Sequence, residues 1–359
     1  MSASNEPGLR APQPRTRAGA VSGPAPRRRG TGTVTPPVSR RVLVDEEFVL
    51  LIEAGVPDLD LAGWLAGRRE ELLRDLDRHG AVFFRGFEVG TADDFSQAAR
   101  AVSPDLLGYL ERAAPRHEVA DRVFTSTEFN AEQWIPLHHE MSYSHNWPTY
   151  LYFWCAQPAT GSGGATPLAS ERVITPLIPA DVRERFLRSG VCYVRNYGPH
   201  LDLPWQEAFQ TTDRAEVEAY CAASATEYAW LGDDGLRTRA RRQAVATHPR
   251  TGETVWFNHA HLFHVSNMPA EVSGALLREY GPEGLPRNAY YGDGEPIPDE
   301  VVTGIRELYR QHAVSVPWQR GDVLVVDNFL ATHGREPFSG DRQILVAMSD
   351  LYVNRSVLQ

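Results

Sequence analysis

The strongest chemical signal in this chain of 359 residues is a short string of three residues, His138, His139 and Glu140. It follows the apolar residues 134–137 (WIPL), which favour an extended strand. Side chains two apart in a strand point to the same face, so His138 and Glu140 would share a face while His139 points away. They would form the local half of a two-histidine, one-carboxylate site, which leaves three positions open on non-haem Fe(II). Because the HxE string alone is common, this metal-site interpretation needs a second histidine.

His333 is the best candidate for that second histidine. It stands in a predicted loop, residues 331–335, soon after the strongly apolar strand of residues 323–329 (VLVVDNF). The end of a strand positions a ligand well, and the following loop leaves room for a substrate. Arg342 begins the next predicted strand, where its guanidinium could enter the same cavity. Because a guanidinium can hold a carboxylate in two hydrogen bonds, the pattern suggests a metal site with a carboxylate-bearing co-substrate.

Three strings in this order resemble the taurine-dioxygenase-like (TauD/TfdA) family of Fe(II)/2-oxoglutarate-dependent oxygenases. They are the HxE string at 138–140, GGATPL at 163–168 and DNFLATHGREPFSGDR at 327–342. The resemblance extends from about Val42 to Val353, and it is greatest to the branch with clavaminate-synthase-like and syringomycin-pathway-type hydroxylases. Supporting strings are FFRGF (83–87), WFNHAHLFH (256–264), YYGDG (290–294) and PWQRGDVLVVDN (317–328).

The resemblance implies an iron centre held by His138, Glu140 and His333. It also implies that Arg342 binds the distal carboxylate of 2-oxoglutarate and that the hydroxyl of Thr166 assists. An enzyme of this type uses Fe(II), 2-oxoglutarate and O2 to hydroxylate an unactivated C–H bond, and it releases succinate and CO2. Much of the wider family has Asp where this chain has Glu140. Halogenases of the superfamily have Ala or Gly there, so Glu140 argues against halogenation.

Residues that contact the substrate are harder to assign. Ser142, Tyr143 and Asn258 are candidates, although a turn residue, a core residue and a strand-end hydrogen bond would explain them as well. Arg335 lies in the same loop as His333 and could hold substrate, or could replace Arg342 at the co-substrate. The branch that the sequence resembles acts on free amino acids, carrier-tethered aminoacyl groups and related natural-product intermediates. We therefore expect a small-molecule or carrier-protein-tethered, amino-acid-like substrate in secondary metabolism, such as antibiotic biosynthesis.

Other interpretations of the same residues remain open. A cupin-like metal enzyme or a zinc-type hydrolase would keep the three ligands but would not use Arg342 and Thr166 for 2-oxoglutarate. A non-catalytic jelly-roll binding protein would not bind Fe(II) and would tolerate His138→Ala. Within the oxygenase interpretation, hydroxylation, desaturation and epoxidation are alternatives. Residues 259–264 also carry three closely spaced histidines, but no carboxylate accompanies them at the right spacing.

The elements around these residues predict a mainly β fold with helical additions. Residues 61–79 repeat apolar positions every three to four residues and predict an amphipathic helix that ends at Gly80. Thr91 is a predicted helix N-cap, and residues 199–235 are a predicted inserted lid. Because strands and helices show no regular βαβ alternation, a largely antiparallel barrel or jelly roll is expected, and the family resemblance implies a double-stranded β-helix (jelly-roll) core. Predicted strands cover residues 81–89, 150–155, 191–197, 321–329 and 342–353, and further helices cover 92–102, 182–190 and 213–224.

Composition divides the chain into a leader and one large domain. Residues 1–40 are rich in Pro, Gly, Ser and Arg and almost lack large apolar side chains, so they predict a disordered leader. Residues 41–359 are then a single oxygenase domain. Residues 1–41 have a net charge of +7, so the rest of the chain carries −17 within a total of −10. An acidic body argues against nucleic acid as a partner, since phosphate contacts need a basic face.

Cysteine usage and hydropathy bear on where the protein works. The three cysteines are widely separated and none lies in a CxxC string, which argues against a disulfide framework or a cysteine zinc site. No apolar run reaches the roughly 18–20 residues of a membrane span, and the N-terminus lacks the apolar core of a secretory signal. We therefore expect a cytoplasmic protein with no membrane partner. The sequence does not decide the oligomeric state.

Overall fold

The computed structural model describes residues 37–108, 117–126, 129–198 and 203–358. Among these residues there are seventeen strands and ten α-helices. The strands are β1 (Val38–Val42), β2 (Leu50–Ala54), β3 (Ala81–Arg85), β4 (Glu118–Ala120), β5 (Val123–Thr125), β6 (Ile135–His138), β7 (Asn146–Gln157), β8 (Leu168–Ser170), β9 (Val191–Tyr197), β10 (Thr226–Leu231), β11 (Gly235–Arg242), β12 (Val245–Thr247), β13 (Thr254–Trp256), β14 (Arg287–Tyr291), β15 (Val323–Asp327), β16 (Ala331–Arg335) and β17 (Gln343–Val353). The helices are α1 (Leu61–Leu65), α2 (Arg69–His79), α3 (Ala92–Val102), α4 (Glu171–Leu177), α5 (Ala180–Ser189), α6 (Trp205–Phe209), α7 (Arg214–Ala223), α8 (Ala260–Phe263), α9 (Ala270–Tyr280) and α10 (Asp299–Gln311).

Two sheets form the core. The larger has eight strands in the order β1-β2-β3-β15-β7-β17-β5-β4, and the smaller has three in the order β6-β16-β8. One hydrophobic cluster joins Phe83, Phe153 and Val346 of the larger sheet to Leu168 and Ala331 of the smaller sheet. The core therefore lies between the two sheets. This confirms the predicted mainly β jelly roll. A further sheet, β10-β11-β9-β14, and the hairpin β12-β13 are added to it.

Strand β7 shows that the larger sheet is buried on both faces. Leu151 and Phe153 belong to the cluster shared with the smaller sheet, whereas Tyr152 and Trp154 pack in a second cluster with helices α1, α2 and α3. Successive side chains of a strand point to opposite faces, so the residues alternate between the two clusters. A strand covered on both sides has a continuous apolar sequence, as β7 does in YLYFWC.

The ends of two early helices follow the sequence signals. Gly80 follows α2 with a φ of 68°, the left-handed conformation that glycine adopts without a Cβ clash. The side chain of Thr91 accepts a hydrogen bond from the backbone N–H of Asp94, whose carboxylate accepts from the N–H of Thr91, so α3 begins with a capping box. The single helix predicted for residues 61–79 is wrong, because Gly67, with a φ of 76°, separates α1 from α2.

Other boundaries differ from expectation where long-range pairing decides them. His333 lies in strand β16 and not in a loop, because this segment pairs with β6 and β8. Strand β1 begins at Val38, within the predicted leader, because it pairs with β2. Residues 1–36 of the leader lie outside the described residues.

The predicted lid lies partly within the described chain. Its residues 203–235 form α6, α7, β10 and the start of β11, and residues 199–202 lie outside the described part. Strand β10 pairs along its length with β11, so this part of the segment is built into the four-stranded sheet. Within the described chain, we find no helix with both the length and the apolar character to cross a bilayer.

Candidate metal centre

The three predicted metal ligands come together at the smaller sheet. His138 ends β6 and is the register partner of His333 in the adjacent antiparallel strand β16. Glu140 lies in the turn after β6, so the expected extended strand through residue 140 is wrong. Its carboxylate still reaches the histidines, because Oε2 of Glu140 lies 3.6 Å from Nε2 of His333. The three ligand atoms lie within 4.8 Å of one another, and all three side chains are buried.

The protonation of His138 suits a metal ligand. Its Nδ1–H donates to the carbonyl of Pro136 at 2.8 Å, which leaves the Nε2 lone pair for a metal. Burial, followed by the proximity of His333, lowers the pKa of His138 to about 3, so the ring is neutral at physiological pH. Two imidazole nitrogens and one carboxylate oxygen are the donor set of a facial Fe(II) site with three open positions. The residues present therefore fit the iron that the sequence pattern implies.

His139 points away from the metal ligands, as the sequence pattern predicts. Its Nδ1 donates to the carbonyl of Asn328 at 2.5 Å, and its Nε2 lies 2.9 Å from the carbonyl of Trp256. A carboxylate oxygen of Glu171 is 3.2 Å from the same Nε2. The ring is fully buried between these distant segments. His139 therefore connects the ligand segment to the rest of the core.

A pocket opens beside the metal ligands, and Arg342 lines it. Nε of Arg342 donates to the carbonyl of Gly164 at 2.8 Å, and the guanidinium carbon lies 5.4 Å from the ring centroid of Phe338. Among the described residues, the two terminal nitrogens of Arg342 make no hydrogen bond. Burial, followed by the nearby Arg335, lowers the pKa of Arg342 to about 10, so the group stays charged at neutral pH. A guanidinium held in this way can bind a carboxylate in a bidentate pair. Further lining residues are Ser126, Ile135, Phe153, Thr166, Gly334 and Ile344.

The glycine-rich string before β8 forms another part of the pocket wall. Oγ1 of Thr166 accepts a hydrogen bond from the indole N–H of Trp318 at 3.2 Å, so the hydroxyl hydrogen is left for an acceptor in the pocket. Gly164 has a φ of 78°, and a Cβ there would lie 3.0 Å from Cδ of Arg342. Glycine is therefore required for the chain to pass this close to the arginine.

Arg335 lines the same pocket, but its guanidinium is engaged with the backbone. It donates to the carbonyls of Phe129 at 2.9 Å, Asn130 at 2.5 Å and Gln133 at 3.0 Å. Burial lowers its pKa below the ordinary range. The three bonds attach the loop before β6 to β16, two residues beyond His333. The contact of Arg335 with substrate stays a prediction.

Two of the predicted substrate residues lie in an aromatic layer beside His138. The ring of His259 lies 5.2 Å from that of His138, and Nδ1 of His259 lies 3.0 Å from Oγ of Ser142. Tyr143 stacks on Phe263 at 5.1 Å and meets His259 edge-on at 5.2 Å. Ser142 and Tyr143 are thus connected to a metal ligand through His259. Their contact with a substrate stays a prediction.

Asn258 is also buried, and its amide binds the backbone at both ends. Nδ2 donates to the carbonyl of Ala244 at 2.9 Å, and Oδ1 accepts from the N–H of Ala260 at 3.1 Å. Its contact with a substrate likewise stays a prediction. In the next turn, Nε2 of His261 donates to the carbonyl of Leu137 at 2.8 Å, which accounts for this histidine as a structural residue.

Two residues that contact the metal ligands were missed by the sequence analysis. The closely spaced histidines of residues 259–264 drew attention to His259, but nothing in the sequence connects it to His138. Burial, followed by the proximity of His138, holds the pKa of His259 well below its usual range. Asn328 is the other, and its side chain accepts a hydrogen bond from the backbone N–H of Glu140 at 2.8 Å. Its position directly after an apolar strand was the only sequence signal.

A second group of ligand-type atoms, from Asp77, His248 and Asp327, also lies within 4.8 Å. Nδ1 of His248 accepts from the backbone N–H groups of Arg250 and Thr251, so its proton is on Nε2. Nε2 donates to Oδ2 of Asp327 at 2.9 Å, and Arg250 forms an ion pair with Asp77. These partners make the group a structural hydrogen-bonded cluster.

Comparisons with known proteins show the family to which the chain belongs. The family model described as "Taurine catabolism dioxygenase TauD, TfdA family" matches residues 45–348. The chain is 42% identical over 275 residues to the dapdiamide synthesis protein DdaC of Enterobacter agglomerans, with 77% of this chain and 83% of that protein covered. It is 32% identical over 283 residues to the clavaminate synthase-like protein At3g21360 of Arabidopsis thaliana, with 76% and 82% covered.

Solved structures support the fold. The chain is similar to PvcB of Pseudomonas aeruginosa, with a TM-score of 0.52 and 17% identity, and the match covers 89% of this chain and 93% of that one. A structure of PvcB described as an Fe, alpha-ketoglutarate dependent oxygenase from an isonitrile synthetic pathway gives a TM-score of 0.53 at 17% identity, with 89% and 95% covered. At this level of identity the likeness concerns the fold alone.

Proposed function

This chain belongs to the TauD/TfdA family and is an Fe(II)/2-oxoglutarate-dependent oxygenase, and we propose that it hydroxylates an unactivated C–H bond of an amino-acid-like or carrier-tethered intermediate in secondary metabolism. The observation that carries the substrate class is the 42% identity to a protein named for dapdiamide synthesis. Family membership sets aside the cupin-like and non-catalytic alternatives, because members depend on 2-oxoglutarate for oxidation.

The protein's part in this chemistry begins with the metal. His138, Glu140 and His333 would hold Fe(II) from one side through two nitrogens and one oxygen, which leaves three positions for other ligands. When bound, the iron together with 2-oxoglutarate and O2 supplies the oxidising chemistry, with succinate and CO2 as products. All three side chains are buried and the two histidines line one cavity, so a metal held there would be shielded from bulk solvent.

Arg342 and Thr166 would bind the distal carboxylate of 2-oxoglutarate. The guanidinium keeps its charge at neutral pH, and its two terminal nitrogens make no hydrogen bond with another described residue. Thr166 can donate its hydroxyl hydrogen, since Trp318 already occupies one lone pair. A charge-assisted bidentate pair with one further hydrogen bond would orient the co-substrate beside His138 and His333, which line the same pocket.

The rest of the site would hold the substrate and exclude water. The target C–H bond must lie close to the metal, and a dry cavity prevents side reactions. Ser142 and Tyr143 are our candidates for the wall on the His259 side, with Asn258 and Arg335 as further candidates. The segment of residues 203–235 would act as the lid. Its polar and aromatic composition is the support for this assignment.

The experiment is to load the purified protein anaerobically with Fe(II), add 2-oxoglutarate and O2, and offer substrates in three classes. These are free L-amino acids, N-acylated amino acids, and aminoacyl groups tethered to a carrier protein. We expect one class to accelerate succinate formation and to yield a product that has gained one oxygen atom, measured by mass spectrometry. Product formation without 2-oxoglutarate serves as the blank.

Three results would contradict the proposal, two of them at the substrate class and one at the reaction type. Succinate formation that none of the three classes accelerates would reject the substrate class, while a sulfonate or an aryl acid that does accelerate it would replace that class. A product that has lost two hydrogens, instead of gaining an oxygen atom, would replace hydroxylation by desaturation.

A further inference from the structure

The side chain of Asn328 joins two distant parts of the metal centre. It is fully buried, and it lies in the turn between β15 and β16. Oδ1 accepts from the backbone N–H of Glu140 at 2.8 Å, and Nδ2 donates to the carbonyl of Glu140 at 3.0 Å. The second hydrogen of Nδ2 goes to the carbonyl of Pro148 at 2.9 Å. The amide therefore holds the main chain of Glu140 on both sides, across 188 positions of sequence.

The backbone of Asn328 extends the same connection. Its N–H donates to the carbonyl of Thr149 at 2.9 Å, and its carbonyl accepts from Nδ1 of His139 at 2.5 Å. Asn328 thus binds both residues that follow His138 in the ligand string. The ring of His139 is held on this side, while the ligand atoms of its two neighbours lie within 4.8 Å of each other and of His333.

Glu140 needs such a support because it lies outside the sheet. Strand β6 ends at His138, and Met141 has a φ of 58°, so the backbone turns sharply directly after Glu140. The strand ladder fixes His138 against His333, but it does not reach the carboxylate ligand. The backbone of Glu140 is instead bonded at its N–H and at its carbonyl by Asn328, five residues before His333.

We propose that Asn328 is a positioning residue that presents the Glu140 carboxylate to the metal, by tying the backbone of Glu140 to the turn that leads into the strand of His333. The inference rests on the proposed use of His138, Glu140 and His333 as iron ligands. Partners that orient a metal ligand affect metal affinity, and their loss typically costs roughly 10–100-fold. We expect a weakening of this size for Fe(II) in Asn328→Ala.

The chain offers a matched control at Asn196. This residue is equally buried, in β9, and its amide also makes three hydrogen bonds. Nδ2 donates to the carbonyls of Glu283 at 2.9 Å and Leu285 at 2.7 Å, and Oδ1 accepts from Arg237 at 2.8 Å. Asn196→Ala should therefore lower stability by an amount similar to Asn328→Ala, because both leave buried polar groups without partners. Only the change at Asn328 should lower metal affinity.

The test is an anaerobic Fe(II) titration of the full-length protein by calorimetry, with folding of each variant checked by circular dichroism. The visible absorption of the Co(II)-substituted protein is a second readout, because it reports the coordination around the metal. Asn328→Asp keeps the acceptor for the N–H of Glu140 and loses both Nδ2 donors. Its carboxylate would face the carbonyls of Glu140 and Pro148, so this variant should also weaken Fe(II) binding, and it carries the test should Asn328→Ala not fold.

Each outcome decides the matter. A folded Asn328 variant with the wild-type affinity and the wild-type Co(II) spectrum overturns the inference. An equal loss of affinity in Asn196→Ala also overturns it, since the effect would then follow general stability. If the wild-type protein itself binds no Fe(II), or binds it with unchanged affinity after Glu140→Ala, the proposed metal site fails instead, so the two failures are distinguishable.

Discussion

The described part of the protein has two clusters of possible metal-ligand atoms, and the atoms of each cluster lie within 4.8 Å of one another. One is formed by His138, Glu140 and His333, and the other by Asp77, His248 and Asp327. Both contain imidazole and carboxylate groups, and both have an arginine nearby. In the first cluster Nδ1 of His138 donates to a carbonyl, so the lone pair on Nε2 is available. In the second, Nδ1 of His248 accepts from two backbone N–H groups, so a proton stands on Nε2.

The arginines beside the two clusters differ in the same way. Arg342 is held through Nε by the carbonyl of Gly164, and it lines a pocket. Arg250 uses both Nε and Nη2 on the carboxylate of Asp77. The comparison teaches that closeness of ligand atoms does not make a metal site. What matters is whether the protein's own hydrogen bonds leave lone pairs and charge available to a ligand.

The largest expected difference between the clusters is in metal binding. Glu140→Ala removes the charged ligand and should weaken Fe(II) binding by on the order of 100-fold or more, since even an indirect partner costs up to that much. His248→Asn in the second cluster should leave the stoichiometry and affinity of Fe(II) unchanged. Anaerobic calorimetry of both variants checks this. A loss of Fe(II) in His248→Asn would remove the distinction between the clusters.

The next largest difference is expected between the two arginines, in how their loss affects the dependence on 2-oxoglutarate. Arg342→Leu should raise the 2-oxoglutarate concentration at half-maximal rate by roughly 10–100-fold, because hydrogen bonds to a charged group contribute about 1.5–3 kcal/mol. Its Fe(II) affinity should stay close to that of the wild type. Arg250→Leu is the control, and it should not change the dependence on 2-oxoglutarate. Succinate formation at varied 2-oxoglutarate measures both, and equal effects would show that the pocket is assigned wrongly.

For the stability of the fold, we expect the second cluster to matter more than the first. His248→Leu leaves the carboxylate of Asp327 fully buried without its imidazole partner, and this should lower the free energy of unfolding by about 3 kcal/mol. Urea unfolding of the metal-free protein measures the change. In the double variant His248→Leu, Asp327→Asn, the decrease in the free energy of unfolding should be smaller than the sum of the decreases in the two single variants. Full additivity would mean that the pair is not coupled.

A smaller effect is expected at Thr166. Thr166→Val keeps the volume of the side chain and removes the hydroxyl. The half-maximal 2-oxoglutarate concentration should rise several-fold, because one such hydrogen bond contributes about 1 kcal/mol. Thr166→Ser restores a hydroxyl and should bring it back toward the wild-type value. Steady-state kinetics on the three proteins decides this. A serine variant that behaves like the valine variant would argue that Thr166 acts only by packing.

A further expected effect concerns the pH dependence of stability. Burial lowers the pKa of His261 to about 4, from an ordinary value of 6.5. Between these values the unfolded chain binds a proton that the folded chain does not. The free energy of unfolding of the metal-free protein should therefore rise as the pH increases from about 4 to 6.5. This gain in stability is lost as the pH falls again.

Replacement of this histidine should reduce that slope. His261→Gln keeps a donor for the carbonyl of Leu137 but has no titrating group. His312→Gln, at an exposed histidine, is the matched control and should leave the slope as it is in the wild type. Urea unfolding at several pH values measures all three proteins. An unchanged slope in His261→Gln would contradict the assigned cause.

Local signals in the sequence were sufficient for several features. The capping box at Thr91 and the glycine after α2 involve residues within a few positions, so helix ends could be predicted. The single helix over residues 61–79 could not, because the φ of 76° at Gly67 breaks it. The many strand-like segments without βαβ alternation predicted an antiparallel barrel or a jelly roll, and the solved structures of similar fold support the jelly roll.

Features that depend on pairing between distant segments could not be predicted. His333 was expected in a loop, but pairing with β6 and β8 makes its segment a strand. Glu140 was expected in a strand, but the turn that begins after His138 takes it out of the ladder. Nothing in the sequence indicated the three hydrogen bonds of the Asn328 side chain, because their donor and acceptors belong to a segment far away in the chain.

The sequence by itself determined which residue types are present and their order, and this was enough to identify the family and to name His138, Glu140, His333 and Arg342. The tertiary structure decided which of these groups are available to a ligand. That availability depends on a hydrogen-bond partner 178 residues away for Arg342, while in the second cluster the Nε2 proton of His248 is taken by an acceptor 79 residues away. A lone pair or a charge is free only when the folded chain provides no competing partner, and only packing determines that.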